Sequence, residues 1–155
     1  SSLKNPNKYV QSVLDLLEND DSEVIMIATS IESEIAELDD YDEQKIFLDE
    51  LGLEEPGVHK LIRSTYKLLN LETYFTSGKK EVRAWTITKG MTAPQAAGVI
   101  HSDFEKGFIK AEVMSIDDYI KYGSEQACKE NGRLFIQGKE YLVKDGDIMH
   151  FRFSV

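Results

Sequence analysis

Apolar residues along the first seventy positions recur mostly at helical spacing. Tyr9, Val10, Val13, Leu14 and Leu17 form one stripe, which predicts a helix opened by Asn5-Pro6-Asn7, with Pro6 in a first turn where its missing N–H costs nothing. Asn19-Asp20-Asp21-Ser22 is a turn cluster. Val24-Ile25-Met26-Ile27 departs from the pattern as a continuous apolar run, which predicts a strand buried on both faces of a parallel sheet. The residues around it supply no obvious partner. A helical stretch follows Ala28-Thr29-Ser30 through Leu38, and Asp39-Asp40-Tyr41-Asp42 breaks it. Asp42–Leu51 is predicted as a short helix with Ile46, Phe47 and Leu51 inward; its acidic start suits a helix N-terminus, and Gly52 stops it. Glu54-Glu55-Pro56-Gly57 opens a stronger helix with Val58, Leu61, Ile62, Tyr66 and Leu69 on one stripe.

The pattern changes near Leu71. Thr73-Tyr74-Phe75-Thr76 is β-prone, Ser77-Gly78-Lys79-Lys80 is a turn, and Val82–Ile87 alternates around Trp85 as a strand. Thr92-Ala93-Pro94-Gln95 has capping-box spacing and opens a helix with Ala93, Ala96, Ala97, Ile100 and Phe104 on one face, ended by Gly107. Ile109–Met114 reads as a strand, Asp117–Tyr122 as a short helix closed by Gly123, and Ser124–Glu130 as another. Arg133–Ile136 and Lys139–Val143 flank Gln137-Gly138 as a predicted hairpin. In the last strand Met149, Phe151, Phe153 and Val155 share one face, with Ile148, His150 and Arg152 on the other. Strands on both sides of one amphipathic helix fit a mixed sheet wrapped across that helix, the β-grasp arrangement.

Composition divides the chain at the same place. Of 155 residues, 18 are Lys or Arg and 28 are Asp or Glu, a formal net charge of −10. Residues 1–71 hold 6 basic and 16 acidic residues, whereas residues 72–155 hold 12 of each. The acidic excess therefore argues against a nucleic-acid partner only for the first segment. No apolar run approaches the roughly 20 residues that cross a bilayer. The start, Ser1–Tyr9, is polar and Pro-containing, which predicts no cleavable secretory segment. The single Cys128 can form no internal disulfide, so a reducing cytoplasm is the simplest compartment.

Candidate chemistry is sparse. There is no Gly-x-x-x-x-Gly-Lys-Ser/Thr, Gly-x-Gly-x-x-Gly, Gly-x-Ser-x-Gly or His-Glu-x-x-His, and the ten glycines stand singly at element ends. No catalytic residue is assigned. From Asp20 to Glu55 fourteen acids face Lys45 alone; Glu32, Glu34 and Glu37, or Asp39, Asp40 and Asp42, could hold a cation, but a solvated acidic face is the simpler reading and no metal site is assigned. His101 and Asp103 form a His-x-Asp pair whose simplest role is capping or bracing a helix end. His59, His150 and Cys128 have no visible activating neighbour. In the neutral segment Lys79, Lys80, Arg83 and Lys89 lie near Tyr74, Phe75 and Trp85, with Lys106 and Lys110 beyond. Cations among aromatics suit RNA by charge and stacking, against the alternative that the aromatics are core and the lysines only solvate the surface.

Longer stretches carry a resemblance. Residues from Val82-Arg83-Ala84-Trp85-Thr86-Ile87-Thr88-Lys89-Gly90-Met91-Thr92 to His101-Ser102-Asp103-Phe104-Glu105-Lys106-Gly107-Phe108-Ile109 resemble the start of the C-terminal TGS domain of the YchF / Obg-like ATPase family. The ending Val143-Lys144-Asp145-Gly146-Asp147-Ile148-Met149-His150-Phe151-Arg152-Phe153 is similar to that family's terminus, and Ile35-Ala36-Glu37-Leu38-Asp39-Asp40, Glu50–Gly57 and Leu71–Thr76 also match. The resemblance implies an α+β chain: residues 1–71 as a helical, one-strand C-terminal remnant of a P-loop α/β nucleotide-binding domain, then residues 72–155 as a β-grasp (ubiquitin-like) TGS domain. It implies a parent that binds and hydrolyses ATP or GTP with Mg2+ and associates with ribosomes, while the chain alone lacks the phosphate loop and is expected to show no turnover. Family members typically carry Ser-Ala-x in the loop against the nucleotide base; here Ala28-Thr29-Ser30 occupies it, a departure that leaves backbone contacts rather than side-chain ones. The expected partners are ribosome or RNA, through Lys79, Lys80, Arg83, Lys89, Lys106 and Lys110, in the cytoplasm and away from membranes. The alternative is a stand-alone, non-enzymatic β-grasp module for a protein partner or small ligand.

Overall fold

The computed structural model describes residues 6–20, 22–78 and 81–154. The chain divides into two units, Ser1–Lys67 and Leu68–Val155.

In the first unit, α1 (Lys8–Leu16) begins at Asn7, whose side-chain oxygen accepts from the Tyr9 and Val10 amides at 3.0 Å each. That acceptor fixes the helix start, so Pro6 precedes the cap instead of occupying the first turn. Val24–Ile27, expected as a strand, forms none. A ladder needs a neighbour's N–H and C=O groups, and no described segment of this unit offers them. α2 (Thr29–Ala36) buries Ile35. α3 (Tyr41–Leu51) is capped by Asp40, which accepts from the Asp42 amide at 2.7 Å, and closed by Gly52 in the left-handed region at φ 66°. Its inward residue is Leu48 rather than Ile46, which is 61% exposed; two residues apart, they lie on opposite sides of the helix. α4 (Gly57–Leu68) keeps Val58, Leu61 and Ile62 exposed, so its apolar stripe is not core within this unit.

The second unit holds the sheet. Strands β1 (Leu71–Ser77), β2 (Val82–Thr88), β3 (Phe108–Ser115), β4 (Phe135–Gln137) and β5 (Asp147–Phe153) lie in the order β2-β1-β5-β3-β4. β1 and β5 are parallel and the other pairings antiparallel. α5 (Ala93–Ile100) packs on one face through Ala93, Ala96 and Ala97, all fully buried with Tyr74, Ile87, Phe108, Ala111 and Met149. Alanines let the helix backbone approach closely enough for the Tyr74 hydroxyl to donate to the Ala96 carbonyl at 2.9 Å. This is the β-grasp-like arrangement that the pattern predicts. The opposite face is covered at one end by α7 (Ile116–Tyr122) and α8 (Glu125–Glu130), whose Cys128 packs with Met114 and Ile148.

The capping box at Thr92 forms: Gln95 Oε1 accepts from the Thr92 amide at 2.8 Å. The helix it opens is shorter than expected. His101 takes an extended backbone (φ −161°, ψ 140°) and starts a separate helix, α6 (Ser102–Lys106), accepting from the Asp103 amide through Nδ1 at 3.2 Å. The imidazole therefore caps a helix start through Nδ1, rather than meeting the negative end of a longer helix. The expected hairpin of residues 133–143 does not form either. β4 pairs with β3, while the Tyr141 carbonyl accepts from the Ala93 amide at 2.8 Å and the Val143 amide donates to Met91 at 3.0 Å. The backbone groups of residues 141–143 are used to anchor the start of α5. Met149, Phe151 and Phe153 join the helix-side core as the alternation predicts; Val155 lies outside the described residues.

Candidate functional site

Because β1 and β5 are parallel and β2 and β3 run against them, Ser77, Val82, Phe108 and Phe153 reach the same end of the sheet. The β1–β5 ladder has one registered pair, Phe75 with Ile148, so β5 continues from Met149 to Phe153 without a registered partner on its β1 side. A groove of about 450 Å³ opens there, with Thr76, Trp85, Ile100, Phe104, Phe151 and Arg152 in its lining.

Its aromatic walls are fixed by specific contacts. The Trp85 indole donates to Thr76 Oγ1 at 2.9 Å. The Arg83 guanidinium lies 4.1 Å from the Trp85 ring centroid, a cation–π contact made on a partly solvated ring. Phe104 stacks on Phe153 with centroids 3.8 Å apart, and Tyr74 meets Phe151 edge-on at 5.8 Å. The Tyr74 phenol, desolvated beneath this layer, is pushed well above its ordinary ionisation range.

The cations named from the sequence separate into groups. Lys79 and Lys80 lie outside the described residues. Arg83 starts β2, Lys106 ends α6 and Lys110 follows the start of β3, which gathers them at the groove end of the sheet. Lys89 follows β2 at the opposite end and pairs with Glu72 at 3.8 Å. Arg152 joins the groove end as the cross-strand neighbour of Lys110, and donates to Glu112 at 3.1 Å. Nothing in the local sequence ranks Arg152 above other cations; its strand alternation places it, but only register with β3 sets it beside Lys110. Acids are present as well: Glu81 lines the groove, and Asp103 stands 3.5 Å from His101.

In the first unit Ala28 is the N-cap position of α2 and supplies no capping side chain, while Thr29 and Ser30 occupy an exposed first turn. Ala28 and Glu32 border a small cavity of about 130 Å³ with Met26, Leu53 and Gly57. The acids considered for a cation do other work. Glu32 caps α4, accepting from the Gly57 amide at 2.8 Å and the Val58 amide at 3.3 Å, and Asp40 caps α3. Among the described residues no three His, Cys, Asp or Glu side chains converge on a metal position. Arg63 binds Glu55 and holds that carboxyl below its usual range. His150 Nε2 is buried 3.2 Å from Glu125 Oε2 without hydrogen-bond alignment. Cys128 is fully buried, and desolvation, with Asp118 and Glu125 adding to it, raises its thiol above the ordinary range, away from nucleophilic use.

One polar pair escaped the sequence reading. Asp147 is 5% exposed, and its Oδ2 accepts from the Tyr141 hydroxyl at 2.7 Å and the Lys144 amide at 2.9 Å. Burial raises the Asp147 carboxyl above its ordinary value, and these two donors partly offset the rise. With Asp145 Oδ1 accepting from the Thr73 amide at 2.7 Å, the Lys144–Asp147 turn ties β5 to β1. Its role is structural.

Comparison with known proteins places these features in a family. The family model described as YchF-GTPase_C, protein of unknown function (DUF933), matches residues 71–154. A protein of Pasteurella multocida named ribosome-binding ATPase YchF is 57% identical over 149 residues, which cover 96% of this chain and 41% of that protein. Its namesake from Bacillus subtilis is 50% identical over 149 residues, covering 96% of this chain and 40% of the relative. The solved structure of the Schizosaccharomyces pombe YchF GTPase superposes with a TM-score of 0.83 at 37% identity, over 97% of this chain and 40% of that one. The chain thus spans about two fifths of the length of the relatives it matches.

Proposed function

The chain belongs to the YchF family, and on that premise we propose that its second unit is a TGS-type docking module of a ribosome-associated ATPase or GTPase, facing the ribosome with the groove end of its sheet. The observation that carries this reading is that Arg83, Lys106, Lys110 and Arg152 all lie toward one end of the sheet, Arg83 beside Trp85, in a segment with no net charge. Among the described residues Arg83, Lys106 and Lys110 make no ion pair. Cations without carboxylate partners leave their charge available to phosphates.

The first segment, residues 1–71, is assigned by the same reading to the end of a nucleotide-binding domain, with Ala28, Thr29 and Ser30 toward the base of ATP or GTP. The uncapped amides at the start of α2 fit such a contact. They do not fit more than that. With no phosphate loop in the sequence and no converging acidic ligands among the described residues, this chain's residues assign no ligand to the triphosphate or to Mg2+. Hydrolysis is derived from none of them. A cytoplasmic location follows from the ribosome partner, and no helix among the described residues is long and apolar enough to cross a membrane.

The test is cosedimentation of the 155-residue chain with purified ribosomes across a salt series. Docking through cations predicts binding that weakens steeply with salt. Binding indifferent to salt would overturn the cationic surface and favour a β-grasp module for a protein partner.

A further inference from the structure

We propose that the groove beside Trp85 is a slot for an extended peptide segment that alternates bulky apolar and acidic residues, taken up as an added strand along β5. The proposal goes beyond the ribosome-docking reading and does not depend on it.

The walls of the groove are strand edges. β1 and β5 run parallel but register at one pair, Phe75 with Ile148. Past that pair β1 has Thr76 and Ser77 left before its turn, whereas β5 continues from Met149 to Phe153. Among the described residues no strand is registered with β5 on that side past Ile148, although β3 pairs with its other side as far as Phe153. Backbone N–H and C=O groups left this way need partners. A peptide backbone offers both kinds at the strand repeat of about 3.3 Å per residue. A small molecule meets one or two of these groups, and an added strand meets the row.

Side chains set the rest of the partner's sequence. Successive residues of a strand point to opposite faces of the sheet. On the α5 face they enter the groove of about 450 Å³, between Trp85, Ile100, Phe104 and Phe151. Its rings are held in place, the indole by Thr76 and Phe104 by stacking on Phe153. That volume and lining suit branched or aromatic side chains. On the other face Ile148 packs with Cys128, so by the pleat His150 and Arg152 follow it there. His150 already has Glu125 at 3.2 Å. Arg152 stands directly opposite Lys110, two like charges, with Glu112 the one carboxylate that either contacts among the described residues. An acidic residue of the added strand beside Arg152 offsets that excess.

Charge argues against a nucleic acid in the slot itself. Arg83, Lys106 and Lys110 lie outside the lining and Glu81 lies within it. Nucleotides also carry no repeating row of N–H and C=O groups for β5 to pair with.

Trp85 is the chain's only tryptophan and lines the groove, so its fluorescence reports occupancy. The probe is a short capped peptide of alternating glutamate and isoleucine, titrated into the 155-residue chain. It should shift the fluorescence saturably and slow hydrogen exchange at amides within residues 149–153. Two control peptides keep the composition: one has its glutamates and isoleucines in separate blocks, and one has alternate amides N-methylated. Each should bind at least roughly tenfold more weakly, the first for want of two-faced alternation and the second for want of backbone donors. Arg152→Glu, at an exposed position, should weaken the glutamate peptide roughly two- to fivefold and strengthen a lysine–isoleucine peptide by a similar factor, with circular dichroism unchanged. A tryptophan that ignores the alternating peptide, or answers equally to the block and N-methylated forms, would overturn the proposal. So would one that answers to single-stranded RNA alone, or an Arg152→Glu chain with both affinities unchanged.

Discussion

The Glu32 carboxylate accepts from the Gly57 amide at 2.8 Å, joining two helices across twenty-five positions of sequence. It also reaches the Val58 amide, so one acidic side chain satisfies two of the unpaired donors at the start of α4. An acid in a run of acids is used here as a remote helix cap. Glu32→Ala should destabilise the first unit by about 0.5–2 kcal/mol, as loss of a cap does, whereas Glu32→Gln, which keeps an acceptor oxygen, should cost less. Gly57→Ala should mimic Glu32→Ala, because its Cβ would fall 2.8 Å from Glu32 Oε1. Urea unfolding followed by far-ultraviolet circular dichroism separates these outcomes; equal stability of Ala and Gln variants would refute the cap.

Asp147 gives a prediction with a sign in pH. Its carboxyl is raised above the ordinary value of 3.8, chiefly by burial. A raised group contributes stability that is complete below the unfolded pKa and is lost as pH rises through the folded one. Asp147→Asn keeps an oxygen for the Tyr141 hydroxyl and the Lys144 amide and removes the buried charge. The stability difference, variant minus parent, should therefore rise with pH above about 3.8 and then level off. Asp147→Ala should instead cost about 1–3 kcal/mol, leaving both donors without a partner. Denaturant titrations at stepped pH values measure both.

Gly107 is required by space rather than by dihedral angle. An added Cβ would stand 1.9 Å from the Ser154 carbonyl, where the Ser154 amide already donates to the Gly107 carbonyl at 2.9 Å. Gly107→Ala must push the end of β5 away from β3, and should destabilise the second unit by about 1–3 kcal/mol, as overpacking does. Hydrogen exchange should show the loss first at the Ser154 amide and the β3 start.

The separation of Lys89 from the other cations predicts unequal charge reversals. Arg83→Glu, Lys106→Glu and Lys110→Glu should each weaken ribosome cosedimentation and flatten its salt dependence by about one unit of log–log slope per lost phosphate contact. Lys89→Glu, at the far end of β2 and already paired with Glu72, should leave the slope unchanged. A Lys89 effect equal to that of Arg83 would show that the groove end is not the contact surface.

Elements whose signals are local are legible along the chain alone. The helix start at Thr92 follows from a side chain bonding an amide three residues away, and the alternation of β5 follows from the pleat, whereas the caps at Asn7 and Asp40 sit one or two residues from the expected starts. The charge boundary near Leu71 and the mixed sheet on an alanine-faced helix were legible for the same reason. Long-range packing set whatever depends on distant partners. Val24–Ile27 has strand composition but no ladder to join. Residues 141–143 were claimed by the start of α5 because Ala93 and Met91 had backbone groups to satisfy, and Ile46 lost its inward place to Leu48. The candidate site belongs to this second kind. Arg83, Lys106, Lys110 and Arg152 are spread over seventy positions, and Trp85, Phe104 and Phe153 line one groove only because antiparallel and parallel strands bring them to the same end of the sheet. Local pattern fixes which way each side chain points; strand register, a long-range property, fixes which of them meet.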